Sequence, residues 1–282
     1  MNTKISLLRR IILYMVLCVI GMVLVTPFIY MISISLSTPE TTTKMAFTLI
    51  PKEFNWQNYF DVLTNERILK YLLNSIILVV FCVIGQVFAS SFVAYGFARI
   101  RARGKNILFI ILLATMMIPS QITMIPQFII FSKLGWINTL LPIIIPNLFG
   151  GAFNIFLIRQ FITGIPVAYD EAAQLEGLGY FGIYRKIMLP LLRPILVTVA
   201  IFTFNYNWGA FMEPLIYIND IEKMPLALGV QVMSATYNAG ATPEWNIVMV
   251  ASLLLTIPMV AVYFLGQKYI YQTNIVGNSS LK

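Results

Sequence analysis

The residues with the clearest potential for chemistry lie in a polar stretch of about two dozen residues, 166–189, between strongly apolar segments. Pro166 suits the first turn of a helix, where its missing N–H leaves no bond unmade. Asp170 and Glu171 follow near the helix start, where the helix dipole favours acidic side chains. A segment that only reversed the chain would need a handful of residues. This stretch therefore predicts a built surface that binds a partner.

Small residues shape this stretch, which we name the elbow (166–189). Ala172 and Ala173 are strong helix formers with almost no side chain, so another protein's surface can approach closely. Gly177 is expected to end this first helix, and a second short helix should begin at Tyr180 and lead to Pro190. The pattern predicts two short helices joined by a turn.

A second candidate group is a polar face on the fifth apolar segment. An ionisable group at membrane depth costs roughly 2.5–3.5 kcal/mol to insert, so it is a functional candidate by default. Glu213 is the only acid near the interior of such a segment. At about 100° of rotation per residue, Glu213 shares one helical face with Asn205, Tyr206 and Gly209. Asn207 is expected to point away from that face. The candidate pathway residues, including a flanking Trp, are Asn205, Tyr206, Trp208, Gly209 and Glu213.

Alternatives stay open for this polar face. Hydrogen-bonding groups beside an aromatic ring suit the lining of a pathway for a polar solute. The same residues also suit a polar interface with a partner subunit, or a position of Glu213 at the outer water boundary. Gln121, between Pro119 and Pro126, either exposes backbone carbonyls to a cavity or marks a simple kink filled by neighbouring helices.

Catalytic and metal-binding groups are not expected. The sequence has no His, which excludes His-based catalysis and His-ligated metals. A phosphate-binding loop, G-x-x-x-x-G-K-[ST], is missing, because Gly104-Lys105 is followed by Asn106. Cys18 and Cys82 lie in apolar runs, where we interpret them as small buried hydrophobes. We expect no enzymatic activity, no cofactor and no metal site.

Composition places the chain in a membrane. Of its 282 residues, 59% are hydrophobic and 11% are charged, whereas a soluble domain has roughly a quarter charged residues. The net charge of +8 would suit nucleic acid in a soluble protein. Here the basic residues lie in short loops beside apolar segments, so the positive-inside rule explains them and no nucleic-acid partner is expected.

Six apolar segments are long enough, at about 20 residues each, to cross a ~30 Å hydrocarbon core. They are expected at 11–32, 71–97, 107–125, 138–160, 190–217 and 246–271. Pro126 should end the third, so that 127–138 form an external connection; residues 33–70 should form an external loop with short helices. Most of the 19 Lys and Arg lie at the termini, in loop 98–106 and around the elbow, which predicts that these are cytoplasmic.

The elbow carries a recognisable spacing. Glu171-Ala172-Ala173 is followed by three residues and Gly177, and nine further residues lead to Ile187-x-Leu189-Pro190. This register resembles the EAA loop of ABC importer permeases, with Glu176 where that family usually has Asp. Segment 94–99 (Ala-Tyr-Gly-Phe-Ala-Arg) and segment 156–161 (Phe-Leu-Ile-Arg-Gln-Phe) are also similar to carbohydrate permeases of the maltose type.

The resemblance implies an all-α, polytopic fold with six transmembrane helices, the type I ABC importer permease (MetI-like) fold. It implies one permease domain over 1–282, with a first span at 11–32, core spans over 71–271 and a coupling elbow at 166–189. Gly209 departs from the family, which usually has Asn after the Trp, and the tail from Val276 lacks the usual Gly-rich ending.

The function implied by the resemblance is the membrane-spanning subunit of an ATP-driven importer, forming half of a pathway for a sugar or oligosaccharide. The implied partners are a second homologous permease, a cytoplasmic ATPase dimer that hydrolyses ATP, an extracytoplasmic substrate-binding protein, the lipid membrane and the sugar. The residues implied to couple to the ATPase are Asp170, Glu171, Ala172, Ala173, Leu175, Glu176, Gly177 and Leu178.

Two other classes of function compete with this one. A self-contained secondary transporter predicts paired half-repeats and buried coupling charges, whereas this sequence has no evident repeat and one candidate acid. A membrane anchor for a sensor or an enzyme complex would not need the elbow's register. Copurification with an ATPase, or transport by the chain alone in liposomes, separates these classes.

Overall fold

Helices account for most of the chain and follow its apolar segments. The computed structural model describes residues 7–43, 50–51, 53–235 and 244–279, and these described residues contain no strand. The α-helices are α1 (Leu7–Ser35), α2 (Pro39–Thr43), α3 (Gln57–Thr64), α4 (Glu66–Arg99), α5 (Lys105–Thr115), α6 (Ser120–Lys133), α7 (Leu141–Asn147), α8 (Ala152–Thr163), α9 (Ala168–Leu175), α10 (Tyr180–Ile183), α11 (Leu189–Leu191), α12 (Arg193–Trp208), α13 (Met212–Tyr217), α14 (Leu226–Ala235) and α15 (Trp245–Ser279). A π-helical turn, Tyr184–Met188, and a 3₁₀ turn, Ile221–Lys223, join some of them.

Candidate membrane spans agree with the expected all-α polytopic class. Four helical segments are long and apolar enough to cross a membrane: Leu7–Ser35, Glu66–Arg99, Leu141–Thr163 and Trp245–Ile270. Two bent pairs bring the number to 6 when each pair is one span. The expected number of six spans is therefore reached among the described residues. Part of the C-terminal tail lies outside them.

The third span differs from its expected form. Helices α5 and α6 meet at a bend of 97°, because Pro119 has no N–H to donate and disfavours helical backbone at the residue before it. Pro126 lies inside α6 and does not end it. The helix continues to Lys133, so 127–133 are helical where a loop was expected. A Pro within a membrane helix is tolerated when neighbouring groups satisfy the freed carbonyl.

The fourth span is broken. Residues 148–151 separate α7 from α8, and Gly150 has φ +85°, a conformation that side chains disfavour. Helix α4 packs tightly against this break. A Cβ on Gly85 would lie 2.7 Å from the Leu148 Cα, so only glycine permits this approach.

The fifth span is also interrupted, contrary to the expected continuous segment 190–217. Helices α10–α11 and α12 meet at a bend of 76°. Helix α12 then ends at Trp208, Gly209 follows as its C-cap, and α13 starts at Met212. Glycine carries no side chain and costs helix stability, which favours a helix end at this point.

Two units are distinguished by their internal contacts. The first contains Met1–Ile68 and Val230–Leu254. Within it, the buried Asn58 amide donates to the carbonyls of Ser35 (2.8 Å) and Ser37 (2.9 Å), and its Oδ1 accepts from Asn246 (2.9 Å). These bonds fasten α3 to the end of α1 and to the start of α15.

The second unit contains Leu69–Gly229 and Leu255–Lys282. Its core joins residues of α4, α8, α9, the π-helical turn and α12 around Tyr184, whose hydroxyl bonds the Ser91 hydroxyl at 2.8 Å. Fully buried members include Ile158, Ile183, Met188, Leu192 and Val199. The elbow is thus part of the same packed core as the membrane helices of this unit.

Candidate functional site

The first arm of the elbow is α9, and its end is built by Gly177. Gly177 has φ +83°, its N–H donates to the Gln174 carbonyl (2.9 Å), and the Leu178 N–H donates to the Ala173 carbonyl (3.0 Å). These two bonds are the Schellman pattern, which satisfies the last carbonyls of a helix. Leu178 then packs against the core. The expected stop at Gly177 is present in the structure.

One face of α9 is turned into the protein. Asp170 is 5% exposed and Ala173 is 4% exposed, which follows from the helical period, since residues three apart share a face. The Arg99 Nε lies 2.8 Å from the Asp170 Oδ2, and the Arg99 Nη2 donates to the Ile165 carbonyl at 2.6 Å. Burial raises the pKa of the Asp170 carboxyl, and the Arg99 guanidinium opposes that shift. An ionised Asp170 therefore depends on Arg99.

The opposite face of α9 is open. Glu171, Ala172 and Glu176 are exposed, and Leu175 is 91% exposed. A cavity of about 260 Å³ lies at the edge between the two faces and is lined by Arg99 and Asp170 as well as by Glu171 and Gln174. The residues expected to couple to the ATPase therefore fall into two groups. Glu171, Ala172, Leu175 and Glu176 are exposed and can contact a partner, whereas Asp170 and Ala173 face the chain's own core. The small size of Ala173 serves that internal packing.

The expected pathway residues do not form one face. The break at 209–211 interrupts the period on which that expectation relied. Tyr206 and Glu213 are nevertheless brought together, and the Tyr206 hydroxyl donates to the Glu213 carboxylate at 3.0 Å. Trp208 is buried and donates from Nε1 to the Leu255 carbonyl at 2.9 Å. Asn205 is half-buried, and Gly209 is exposed at the helix end.

A different polar cluster lines a cavity of about 270 Å³ in the second unit. It includes Asn207, which was expected to point away and is 2% exposed. Its lining residues come from α4, α7, α8 and α12: Gln86, Asn147, Phe153, Asn154, Phe202, Thr203, Tyr206 and Asn207. Only Tyr206 belongs to the set expected from the sequence. Single amides within apolar runs, at Gln86, Asn147 and Asn154, were the available signal.

Amide-to-amide bonds organise this cavity. The Gln86 Nε2 donates to the Asn147 Oδ1 (2.8 Å), and the Asn154 Nδ2 donates to the Gln86 Oε1 (2.9 Å). At about 1.5 Å of rise per residue, Thr203 lies roughly 15 Å along α12 from Arg193, close to the elbow. That distance is about half of a ~30 Å hydrocarbon core. The cavity is therefore well removed from the elbow.

Known proteins share this architecture. Residues 86–274 match the family described as "Binding-protein-dependent transport system inner membrane component". The polygalacturonan/rhamnogalacturonan transport system permease protein YtcP of Bacillus subtilis (strain 168) is 30% identical over 277 residues, covering 94% of this chain and 96% of YtcP. The probable starch degradation products transport system permease protein AmyC of Thermoanaerobacterium thermosulfurigenes is 28% identical, covering 92% and 93% of the two chains.

A solved structure has the same fold. A chain of a bacterial ABC transporter involved in the import of the acidic polysaccharide alginate superimposes with a TM-score of 0.83 at 25% sequence identity, covering 95% of this chain and 99% of that one. The expected MetI-like fold is confirmed. The chain belongs to the family of binding-protein-dependent transport system inner membrane components, and it is a multi-pass permease subunit of an ABC importer.

Proposed function

We propose that this permease forms half of the pathway of a carbohydrate importer, and that its elbow couples the pathway to a separate ATPase dimer. The observation that carries the coupling role is the division of α9. Its inner face is joined to α4 through Arg99 and Asp170, while Leu175 on its outer face is 91% exposed. A partner pushing on the outer face would therefore move α4.

The carbohydrate substrate is supported by the transport systems named for the relatives. YtcP is named for the transport of polygalacturonan and rhamnogalacturonan, and AmyC is named for the transport of starch degradation products. The remaining partners in this proposal are a second homologous permease and an extracytoplasmic binding protein, in line with the family's description as binding-protein-dependent. The whole chain, 1–282, acts as one permease domain with both termini and the elbow in the cytoplasm.

Among the elbow residues, we assign the partner contact to Glu171, Ala172, Leu175 and Glu176. Asp170 and Ala173 position this face from inside, and Gly177 and Leu178 fix its end. The ATPase hydrolyses ATP, and this chain supplies the moving pathway without a catalytic group of its own. In the pathway, Tyr206 and Glu213 act near the cavity, whereas Asn205, Trp208 and Gly209 support the end of α12.

Reconstitution tests this function. The permease would be purified with its partner permease and ATPase, and ATP-driven uptake would be measured in proteoliposomes containing a sugar-loaded binding protein. Glu171→Lys should abolish uptake or release the ATPase, since it reverses a charge on the exposed face. A chain that transports alone down an ion gradient would instead support the secondary-transporter alternative. Parent-level uptake by Glu171→Lys and Ala172→Trp with the ATPase bound would contradict the coupling role.

A further inference from the structure

The amide-lined cavity contains polar atoms that the chain itself leaves unpaired. The Thr203 hydroxyl oxygen and the Asn207 Oδ1 are buried and have no hydrogen-bond partner among the described residues. Both residues line the cavity and are 5% and 2% exposed. The Asn207 Nδ2 is already used, because it donates to the Thr203 carbonyl at 2.8 Å. Buried unpaired groups are costly, and because both residues lie in the cavity wall, a ligand in the cavity can supply partners for them.

The surrounding amides are held in fixed orientations. Asn147 donates to the Ile143 carbonyl (2.8 Å) while it accepts from Gln86 (2.8 Å). Gly151 allows the broken fourth span to lie close to the Gln86 side-chain amide, since a Cβ at position 151 would lie 3.1 Å from the Gln86 Oε1. A site whose polar groups are positioned before the ligand arrives loses less entropy on binding.

Aromatic rings complete the wall. Phe153 and Phe202 both line the cavity, with ring centroids 6.5 Å apart at an angle of 37°. A few convergent polar groups beside apolar rings are typical of small-molecule sites. A sugar ring presents hydroxyl groups at its edge and C–H groups on its faces, which matches this combination. The volume of about 270 Å³ suits a single ring of a longer oligosaccharide.

The lack of charged side chains in the cavity wall restricts which class of sugar can bind there. None of its lining residues carries a charge at neutral pH, and the neighbouring group bonded to Tyr206 is the acid Glu213. A uronate carboxylate would lose its hydration here without meeting a cation, and such desolvation is unfavourable. The acidic polymers in the names of YtcP and of the alginate transporter would therefore be poor occupants.

We propose that this cavity is a subsite for one uncharged sugar ring in the translocation pathway, with Thr203 and Asn207 as acceptors for its hydroxyl groups. The proposal rests on the carbohydrate-importer function above and extends it to the class of sugar. It predicts discrimination within the membrane complex itself, before any contribution from the binding protein.

The test uses the detergent-solubilised permease–ATPase complex without binding protein. Its unfolding temperature is measured with maltotriose, xylotriose or arabinotriose as neutral probes and with trigalacturonate as the acidic probe. At least one neutral probe should raise the unfolding temperature, and trigalacturonate should not. Thr203→Val, which keeps the side-chain shape, and Asn207→Leu should each weaken that binding about tenfold. The matched control, Thr163→Val on α8 outside the cavity, should bind as the parent does.

Cysteine protection provides a readout that does not depend on stability. In a background with Cys18→Ser and Cys82→Ser, the neutral probe should slow alkylation of Thr203→Cys and leave Thr163→Cys unaffected. Stronger binding of trigalacturonate, parent-like binding by both Thr203→Val and Asn207→Leu, or no response to any neutral probe would each overturn the proposal. Such results, with ATP-driven uptake still sensitive to Glu171→Lys, would leave the importer function standing. Loss of that sensitivity would count against the function itself.

Discussion

Arg99 and Asp170 form a buried ion pair that joins a membrane helix to the elbow. The Arg99 Nε lies 2.8 Å from the Asp170 Oδ2, and the two side chains are 9% and 8% exposed. Arg99 is the last residue of α4, and Asp170 lies in the first turn of α9. Because Arg99 also holds the Ile165 carbonyl, one guanidinium fixes both the entry to the elbow and its first helix.

Breaking this pair should uncouple the importer. Removing one partner of a buried ion pair typically costs about 3–5 kcal/mol, since the other charge remains buried and unpaired. We expect Arg99→Gln and Asp170→Asn each to reduce uptake per ATP hydrolysed. The double variant should recover part of the loss, because neither charge is then left alone. Uptake and ATP hydrolysis would be measured together in proteoliposomes.

The control for this experiment is the exposed pair of Lys70 and Glu222, whose side chains are 47% and 70% exposed at an Nζ–Oε1 distance of 2.9 Å. Exposed pairs contribute little to stability, so Glu222→Gln should transport like the parent. Parent-like coupling in both single variants of the buried pair would show that it does not transmit motion.

Ala172 and Ala173 should respond differently to the same substitution. Ala172 is exposed, so Ala172→Trp should yield a folded permease that fails to hold the ATPase. Ala173 is 4% exposed in the core, so Ala173→Trp should destabilise the permease by about 1–3 kcal/mol or more through overpacking. Unfolding temperature and ATPase copurification would be measured for both. Equal loss of stability in the two variants would contradict the assigned faces of α9.

Gly177 should be required for its backbone conformation alone. Its φ is +83°, and a Cβ at this position would meet no atom within 4 Å. Gly177→Ala should therefore cost roughly 1–2 kcal/mol from left-handed strain, with reduced coupling. The matched control is Gly179→Ala, because Gly179 has φ −76° and equally open surroundings. Identical thermal stability of the two variants would exclude backbone strain as the reason for a glycine here.

Gly85 should be required for space. A Cβ added to Gly85 would lie 2.7 Å from the Leu148 Cα, a backbone atom that no change of side-chain rotamer can move away. Gly85→Ala should force α4 away from the broken fourth span, at a cost of about 1–3 kcal/mol, and disturb the nearby amide cavity. Gly96→Ala on the same helix has no atom within 4 Å of the new Cβ and serves as the control. Both would be compared by detergent-solubilised yield and unfolding temperature.

Topology can be measured at two exposed positions. In the background lacking Cys18 and Cys82, Leu175→Cys should react with a membrane-impermeant maleimide only from the cytoplasmic side. Trp56→Cys, at a position 67% exposed, should react only from outside, as the distribution of basic residues predicts. Labelling of Leu175→Cys from the outside would reverse the proposed orientation. Residues 44–49 and 52 of the expected external loop 33–70 lie outside the described residues.

Local patterns in the sequence were sufficient for the membrane class, the number of spans and the position of the elbow. The length of an apolar segment indicates a membrane span directly, because a spanning helix must match the thickness of the hydrocarbon core. Gly177 reports a helix stop because glycine favours the left-handed conformation that such a stop uses. These features depend on a few neighbouring residues, and the register from Glu171 to Pro190 could therefore be read without any tertiary information.

Tertiary structure alone decided which side chains meet. The period of α9 places Asp170 and Ala173 together, but only packing shows that their face is the buried one and that Arg99 is its partner. On α12, the expected face was drawn through Gly209 and Glu213, beyond the helix end, and it left out Asn207. The cavity instead borders the face that Thr203, Tyr206 and Asn207 share, since residues three and four apart lie on one side of a helix. The amide cavity combines Gln86, Asn147, Asn154 and Asn207 from four helices, and their proximity depends on contacts between segments far apart in the chain, which no local period encodes.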